Sequence, residues 1–274
     1  MCRHRRVMGL VRLLGVLVLS ITVPSPATTQ ALRATFSDGM YAVGRDIAPG
    51  LYHTSGGDSC YWARLDKLSV SDSAIIVNDD ISGPLTVQIK ATDAGFETRG
   101  CGTWAFVRPG TRGRRAAAFG TGMYGVGLDI RPGTYRTLGN DGCYWALLSD
   151  LGGKNIVAND NAIGPAVVTI RPSTAGIISK GCGTWKRVAD PRPGGNAGGT
   201  RFGDGTWRVG VDVKPGTYHT EGGDSCYYET LASFDGTLDA VIQNDLPSGP
   251  VDLVLDNTTL GVKSEKCGTW KKVG

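Results

Sequence analysis

Apolar and polar side chains alternate in three short segments that lie at equivalent places along the chain. The first reads LTVQIK over residues 85–90, and the others read AVVTIR over 166–171 and VDLVLD over 251–256. A period of two is typical of a β-strand with one buried face. No window sustains the period of a helix, so the pattern predicts about six or seven short strands around each segment.

Turn signals separate these predicted strands. Pro-Gly pairs, which suit the centre of a type II turn with a positive φ at glycine, occur at 49–50, 132–133 and 215–216. Asn-Asp pairs at 78–79, 159–160 and 244–245 precede Gly-Pro pairs at 83–84, 164–165 and 249–250. Short strands between such turns are typical of a small antiparallel sandwich or barrel, and the pattern does not decide between the two.

The same sequence pattern recurs three times. Pro49, Pro132 and Pro215 are 83 residues apart each time, and Pro/Gly-rich segments separate the repeats. A β-trefoil shares one core among its repeats, so linkers of this kind favour separate domains instead. The predicted fold class is therefore all-β, with three tandem small domains joined by linkers. The predicted organisation is a signal peptide (1–31), repeat 1 (36–108), a basic linker (109–118), repeat 2 (119–189), a Pro/Gly linker (190–201) and repeat 3 (202–274).

The first 31 residues have the layout of a secretory signal peptide. An arginine-rich head precedes an apolar run from Leu13 to Val23, which is followed by small residues at Thr29-Gln30-Ala31. The run is shorter than the roughly 20 residues that span a bilayer. We therefore expect an exported bacterial protein, extracellular or cell-surface associated, with no transmembrane segment after cleavage.

Removing this segment changes the charge balance. It holds four of the 29 Lys and Arg residues and no acidic residue, so the mature chain is formally neutral against 25 Asp and Glu. A nucleic-acid partner loses its main support. The linkers and repeat 2 carry the remaining excess of positive charge. This layout predicts salt-sensitive attachment to anionic wall polymers or lipid headgroups through Arg108, Arg112, Arg114 and Arg115.

Six cysteines remain in the mature chain, two in each repeat. An exported chain with paired cysteines is typical of a disulfide framework, and a repeat that folds alone must pair within itself. The predicted bonds are Cys60–Cys101, Cys143–Cys182 and Cys226–Cys267. Each closes a loop of about 40 residues and stabilises its repeat by roughly 4 kcal/mol in the loop-entropy description.

Five short motifs recur in every repeat: V-G-x-D-[IV]-x-P-G-x-Y, C-Y-[WY], N-D, G-P and C-G-T-W. Their combination resembles repeats in exported proteins of Gram-positive, especially actinobacterial, bacteria. The resemblance covers nearly the whole mature chain. It implies an exported surface or wall-associated protein and implies no particular chemistry.

The sequence offers no catalytic motif such as GxSxG, HExxH or CxxC. His53 and His219 are equivalent, but repeat 2 has Arg136 there, which argues against a repeated metal or catalytic site. The recurring carboxylates are expected to cap turns, with calcium binding and catalysis as weaker alternatives. They are Asp46, Asp129 and Asp212, and Asp79, Asp160 and Asp245. We therefore expect a protein without enzymatic activity, cofactor or metal.

Aromatic residues beside the cysteines suggest a binding surface. Alternation along a strand places Trp62 on the face of Cys60 and turns Tyr61 outward. A regular strand would also expose Trp104, whereas a bulge at Gly102 would place it in the core, and the sequence leaves both open. Exposed pairs would form a glycan-binding platform in each repeat. Its candidate residues are Tyr61, Trp104, Tyr144, Trp185, Tyr227 and Trp270.

Three functions are compatible with these features. The first is a secreted protein with three repeated, non-catalytic binding modules for a cell-wall polymer or another extracellular glycan, in which multivalency raises the apparent affinity. The second is a structural or spacer protein of the envelope. The third, with the least support, is a hydrolase or an inhibitor of one. The sequence predicts no ligand identity and no oligomeric state.

Overall fold

The structure is a computed structural model that describes Met1 and residues 31–111, 113, 115–139 and 142–274. The predicted signal peptide lies outside the described residues except at Met1 and Ala31. Residues 31–274 form one compact unit. Its described secondary structure consists of β-strands and two short 3₁₀-helices, Asp72–Ala74 and Leu238–Ala240. The all-β fold class is confirmed.

Each repeat contributes eight strands. Those of repeat 1 are β1 (Thr35–Phe36), β2 (Gly39–Ala42), β3 (Gly50–Thr54), β4 (Cys60–Leu65), β5 (Ile75–Ile81), β6 (Leu85–Ile89), β7 (Gly95–Arg99) and β8 (Trp104–Phe106). Those of repeat 2 are β9 (Ala118–Phe119), β10 (Gly122–Gly125), β11 (Gly133–Thr137), β12 (Cys143–Leu148), β13 (Ile156–Ala162), β14 (Ala166–Ile170), β15 (Gly176–Lys180) and β16 (Trp185–Arg187). Those of repeat 3 are β17 (Arg201–Phe202), β18 (Gly205–Arg208), β19 (Gly216–Thr220), β20 (Tyr227–Leu231), β21 (Val241–Asp245), β22 (Val251–Leu255), β23 (Gly261–Glu265) and β24 (Trp270–Lys272).

The eight strands of a repeat form two four-stranded antiparallel sheets that enclose its core. In repeat 1, sheet A has the order β1-β8-β3-β6 and sheet B has the order β2-β7-β4-β5. Repeats 2 and 3 have the same two orders. Tyr52 of sheet A and Trp62 and Phe96 of sheet B meet between the layers. The repeat is therefore a β-sandwich, which settles the choice that the sequence left open.

Each sandwich contains one disulfide bond at the end of sheet B. The bonds are Cys60–Cys101, Cys143–Cys182 and Cys226–Cys267, as expected. All six cysteines are buried. The carbonyl of Cys101 accepts a hydrogen bond of 2.5 Å from Thr54 Oγ1 in sheet A. The bond therefore joins strand β4 to the segment through which the chain crosses from one sheet to the other.

Aspartate side chains organise the turn before each Pro-Gly pair. The carboxylates of Asp46, Asp129 and Asp212 accept backbone N–H bonds of 2.9, 2.7 and 3.0 Å from the residue four positions earlier. A short acidic side chain is well suited to this role, because it reaches the backbone within its own turn. These three aspartates are turn caps in the structure.

The repeats are not independent domains. Sheet A of repeat 1 and sheet B of repeat 2 join through parallel pairing of β6 with β10 into one eight-stranded sheet. The core of repeat 1 also includes Met123, Ala146, Leu148 and Ile178 from repeat 2. The three tandem domains that the sequence predicts are therefore in direct contact, which the sequence does not reveal. The apolar residues that cover the side of one sandwich belong to the next repeat, which a pattern read within a single repeat does not reveal.

The Pro/Gly-rich linkers also pack against the structure. Arg115 Nε donates a 2.8 Å hydrogen bond to the carbonyl of Gly127. Ala116 N–H donates a 2.7 Å hydrogen bond to the backbone carbonyl of Asp129. In the second linker, the N–H groups of Gly194 and Ala197 donate to carbonyls of repeat 3. The linkers therefore lie against the repeat that follows them. Of the four arginines proposed for wall attachment, Arg112 and Arg114 lie outside the described residues.

Repeat 1 contains a buried ion pair that the other repeats lack. Arg64 donates to both carboxylate oxygens of Asp93 at 2.7 Å, and both side chains are buried. The third donor of Arg64 reaches the carbonyl of Gly152 in repeat 2 at 2.8 Å. At the equivalent positions repeat 2 has Leu147 and Thr174. The pair thus joins repeat 1 to its neighbour.

Asp93→Asn should destabilise the protein by about 3–5 kcal/mol, because it leaves the Arg64 guanidinium buried without a counter-charge. The double variant Arg64→Leu with Asp93→Thr installs the residues of repeat 2 and should recover most of this loss. Chemical denaturation of both variants measures the effect. Equal stability of Asp93→Asn and the native protein would contradict this account of the ion pair.

Candidate functional site

The three tryptophans of the C-G-T-W motif are fully buried. Trp104, Trp185 and Trp270 have no exposed surface. Each indole Nε1 donates a 2.9 Å hydrogen bond to a side-chain hydroxyl of sheet B. The acceptors are the hydroxyls of Thr98, Ser179 and Ser264 respectively. Each ring also stacks on a phenylalanine of the first strand in its repeat, Phe36, Phe119 or Phe202. The tryptophans are core residues and cannot contact a ligand in the folded protein.

The reason is the path of the chain between Cys101 and Trp104. Strands β7 and β8 belong to different sheets, so strand alternation does not extend across the motif. Gly102 has a φ of +69°, a left-handed conformation that favours glycine. Gly183 and Gly268 have φ values of 71° and 72°. The chain therefore turns at glycine and directs each tryptophan inward, as the alternative with a bulge anticipated.

The three tyrosines point away from the main core of their own repeat, and Tyr144 faces another repeat. Tyr144 packs against the core of repeat 1. Tyr227 is half-buried, and its hydroxyl donates a 2.6 Å hydrogen bond to Glu229. Tyr61 lies under the guanidinium of Arg99, which is 4.6 Å from the ring centre. With the tryptophans buried, no tyrosine–tryptophan platform forms on any of the three repeats.

What recurs instead is the contact surface between repeats. We call the surface of a repeat that receives the next repeat its trailing face, and the surface that docks on the preceding repeat its leading face. The trailing face of repeat 1 consists of His53, Trp62, Asp79, Pro84, Thr86 and Gln88. The leading face of repeat 2 consists of Met123, Asp129, Tyr144, Ala146, Leu151, Gly153, Ile178 and Lys180.

Two backbone hydrogen bonds fix the docked position. Met123 N–H donates to the carbonyl of Pro84 at 2.9 Å, and Gln88 N–H donates to the carbonyl of Leu151 at 2.8 Å. The equivalent bonds join repeats 2 and 3, from Thr206 to Pro165 and from Thr169 to Phe234, both 2.7 Å. The same heterologous interface therefore occurs twice in the chain.

Aromatic rings and glycines meet at both interfaces. A side chain at Gly153 would collide with the six-membered ring of Trp62, and one at Gly236 would collide with that of Trp145. Both tryptophans are buried, and neither indole Nε1 has a hydrogen-bond partner among the described residues. Absence of a side chain at these glycines thus allows the loop of one repeat to lie directly on the ring of the previous one.

Charged pairs also cross both interfaces. Lys180 of repeat 2 pairs with Asp79 of repeat 1, and Lys263 of repeat 3 pairs with Asp160 of repeat 2 at 2.8 Å. The expectation that Asp79 and Asp160 cap turns is wrong, because both lie within strands β5 and β13. Sequence reasoning missed this role because the partner lysine is about 100 residues away and occupies different positions of the two strands.

A second set of polar contacts lies around the turn aspartates. Thr86 Oγ1 donates a 2.7 Å hydrogen bond to Asp129, and His53 Nδ1 lies 3.9 Å from the same carboxylate. At the equivalent place Arg136 Nε lies 3.9 Å from Asp212. His53 in repeat 1 and Arg136 in repeat 2 therefore both place a side-chain nitrogen near an aspartate of the next repeat.

The interface between repeats 2 and 3 is more polar and leaves a cleft of about 170 Å³. Repeat 2 places Met123, Ala146 and Ile178 on its leading face, whereas repeat 3 has polar residues at those positions. They are Thr206, Glu229 and Lys263, and they line the cleft together with Trp145 and Asp160. The apolar contact that remains here is that of Val167 with Leu231 and Phe234.

Burial and charge alter the pKa of one side chain that lines the cleft, Lys263, and of Tyr227, which bonds to the cleft residue Glu229. Burial lowers the pKa of Lys263, but the carboxylates of Asp160 and Glu265 outweigh it and hold the pKa above its ordinary value. Burial, together with the hydrogen bond to Glu229, raises the pKa of Tyr227 to about 12. Both side chains thus keep their neutral-pH protonation. Among the described residues, no group of three His, Cys, Asp or Glu side chains is placed to hold a metal ion.

The fold and its interfaces define the class of the molecule, a tandem array of disulfide-bonded β-sandwich repeats. The chain belongs to the family of the Rv1352-like extracellular domain, whose family model matches residues 33–105, 116–186 and 199–271. The predicted resemblance to a repeat family of exported bacterial proteins is confirmed, and the protein is extracellular. None of the helices among the described residues has the length and apolar character needed to cross a membrane.

Individual relatives are mycobacterial. The chain is 31% identical over 104 residues to the uncharacterized protein Rv1352 of Mycobacterium tuberculosis and to the uncharacterized protein Mb1387 of Mycobacterium bovis. The aligned region covers 33% of this chain and 85% of each relative. No solved structure matches the chain. The relatives' printed names state no activity.

Trp185→Ala should destabilise the protein by about 3–5 kcal/mol, because it removes a large buried ring and leaves Ser179 without its indole partner. Leu138→Ala, at a side chain that is 74% exposed in the same repeat, should change the stability by less than about 0.5 kcal/mol. Denaturant titration followed by circular dichroism compares the two. A Trp185→Ala variant of native stability would mean that the ring is not a core residue.

Proposed function

We propose that the protein acts outside the cell as a non-catalytic structural protein whose three repeats hold one another in fixed relative positions. The observation that carries this proposal is the repeated interface. Backbone hydrogen bonds, ion pairs and apolar contacts join repeat 1 to repeat 2 and repeat 2 to repeat 3 in equivalent ways. A chain that needed only flexible multivalency would gain nothing from such contacts.

Burial of aromatic residues supports the same choice. Glycan recognition by stacked rings needs exposed aromatic faces, and the C-G-T-W tryptophans are used as core residues in every repeat. Five of the six recurring aspartates, all but Asp245, are engaged in turns or in contacts between repeats. The residues that recur three times therefore serve folding and stacking, and this favours the structural role over the three-site binding role.

X-ray scattering of the mature chain tests the fixed arrangement. The measured profile should agree with the one calculated from residues 32–274 of the structure. Met123→Asp places an unpaired charge in the interface between repeats 1 and 2 and should give the broader profile of loosely joined domains. Leu138→Asp, at an exposed position, is the matched control. A native profile that requires freely moving repeats would contradict the structural role.

A second candidate function is binding of a small polar ligand, such as part of a wall glycan, in the cleft between repeats 2 and 3. The observation in its favour is that the Trp145 indole, beside Asp160, Glu229 and Lys263, has no hydrogen-bond partner in the described part of the chain. Polar groups around an aromatic edge are suited to hydroxyl-rich ligands. This candidate involves one site in the chain rather than three.

Sedimentation of the mature protein with purified cell-wall fractions separates the two functions. The structural role predicts no saturable binding that depends on the cleft. The binding role predicts saturable binding that is lost in Glu229→Ala with Lys263→Ile, which installs the residues of repeat 2 at those positions. Denaturation of this double variant should confirm that the fold is intact. Cleft-dependent binding would favour the second candidate.

A further inference from the structure

The interface between repeats is heterologous, so among the described residues repeat 1 has a leading face and repeat 3 has a trailing face to which no other repeat is docked. The trailing face of repeat 3 consists of His219, Tyr228, Asp245, Pro250, Asp252 and Val254, which are equivalent to the six trailing-face residues of repeat 1. The leading face of repeat 1 is formed by Met40, Asp46, Tyr61, Leu68, Val70, Glu97 and Arg99, which lie around the buried Ala63. Within the described part of the chain, no other repeat covers either of these two faces.

We propose that the trailing face of repeat 3 binds the leading face of repeat 1 from a second copy of this chain. The proposal rests on the geometry of the internal interface and not on the proposed structural role. Because the two faces are different surfaces, the contact is heterologous and each added copy presents a new free face. The expected product is an open, head-to-tail series rather than a closed dimer.

Exposed apolar residues mark both free faces. Val254 of repeat 3 is 65% exposed, whereas the equivalent Gln88 and Thr169 are partly covered by the next repeat. Leu68 of repeat 1 is 46% exposed, whereas the equivalent Phe234 is buried against repeat 2. At the internal interfaces the backbone of these two positions is joined directly. A docked copy would thus bring Leu68 and Val254 together and remove both from water.

The sizes of the residues at the ring contact are also complementary. Glycine lies over tryptophan at both internal interfaces, Gly153 on Trp62 and Gly236 on Trp145. Between two copies, the equivalent residues are Val70 on the leading face and Tyr228 on the trailing face. Val70 is 83% exposed in the single chain. Val70 is larger than the glycines that it replaces, and Tyr228 is smaller than the tryptophans that it replaces. In a docked pair of copies, Val70 would thus fill the space that the smaller ring leaves.

Charges match in the same way at the lysine–aspartate contact. Asp245 occupies the trailing-face position of Asp79 and Asp160, each of which pairs with a lysine of the next repeat. Arg99 occupies the position of Lys180 on the leading face, and Glu97, at the position of Lys263, lies 3.6 Å from the Arg99 guanidinium and is partly neutralised by it. In the single chain, Arg99 is two-thirds exposed and Asp245 is exposed. A docked copy would place a guanidinium opposite the carboxylate that lacks a partner from a following repeat.

One position makes the contact sensitive to pH. Asp252 replaces Thr86 and Val167, and docking would bring it towards Asp46 of the second copy. His219 lies 2.7 Å from Asp252, and this hydrogen bond raises the pKa of the histidine; the equivalent His53 lies 3.9 Å from Asp129, the counterpart of Asp46. The charged groups that face His219 are Glu221, Asp252 and Lys271 of its own repeat, and Arg45 and Asp46 of the docked copy. Protonated His219 offsets the two carboxylates, so association should strengthen below the pKa of His219 and weaken as the pH rises through it.

Sedimentation velocity of the mature chain over a wide concentration range tests the proposal. We expect the mean mass to rise with concentration beyond that of a dimer, and to rise more at about pH 5.5 than at about pH 7.5, across the ordinary titration range of histidine. Val254→Lys should weaken association at least tenfold, about 1.4 kcal/mol. Leu138→Lys is the control, because Leu138 stays exposed although its repeat has docked neighbours on both sides.

Charge exchange identifies the two faces that meet. Arg99→Asp and Asp245→Arg should each weaken self-association, since each places like charges opposite one another. An equimolar mixture of the two variants should form an alternating head-to-tail series, because both contacts between unlike variants again place an arginine opposite an aspartate. A protein that stays monomeric at every concentration and both pH values would overturn the proposal. So would a closed dimer that ignores Val254→Lys, or a mixture that associates no better than its components.

Discussion

The structure depends on one contact, in which the outer face of a sheet from one repeat covers the open side of the sandwich before it. The contact supplies apolar side chains to the preceding core and two backbone hydrogen bonds that set the register. Without it, Trp62 and the edge of β6 would face water. A domain of about 70 residues buries only a modest core, so a neighbour that completes the core adds substantially to its stability.

This contact explains why the repeats differ where they do. The residues that build each sandwich are nearly the same in all three, including the cysteines, the turn aspartates and the C-G-T-W tryptophans. The two docking faces do differ between repeats, and Ala146 corresponds to Glu229 and Gln88 to Val254. Each face has to match only its own neighbour. The first interface is therefore largely apolar, and the second contains the Asp160–Lys263–Glu265 group and a cleft.

Much of the single repeat could be predicted from the sequence. Apolar–polar alternation in 85–90 and at the equivalent positions predicted strands, because this pattern acts over a short distance. The repeat period predicted the disulfide pairs, because both cysteines recur at equivalent positions in every repeat. The burial of Trp104 could not be decided, since strand alternation stops where the chain crosses between sheets at Gly102. Contacts such as Lys180 with Asp79 join positions about 100 residues apart, and no local pattern encodes them. The same limit hides the direct contact between the repeats.

The disulfide also sets how far the protein can lengthen when it is pulled from its ends. In repeat 1 the bond joins Cys60 to Cys101 across a sequence separation of 41, so tension passes through the sulfur atoms and bypasses the chain between them. Only the remaining part of each 83-residue period can be drawn out, and at about 3.5 Å per residue it yields about 150 Å. A reducing environment would roughly double that reach. In the oxidised protein the disulfide of each repeat therefore limits how far that repeat can be extended. Whether the cysteines are oxidised or reduced determines the extensibility of the chain.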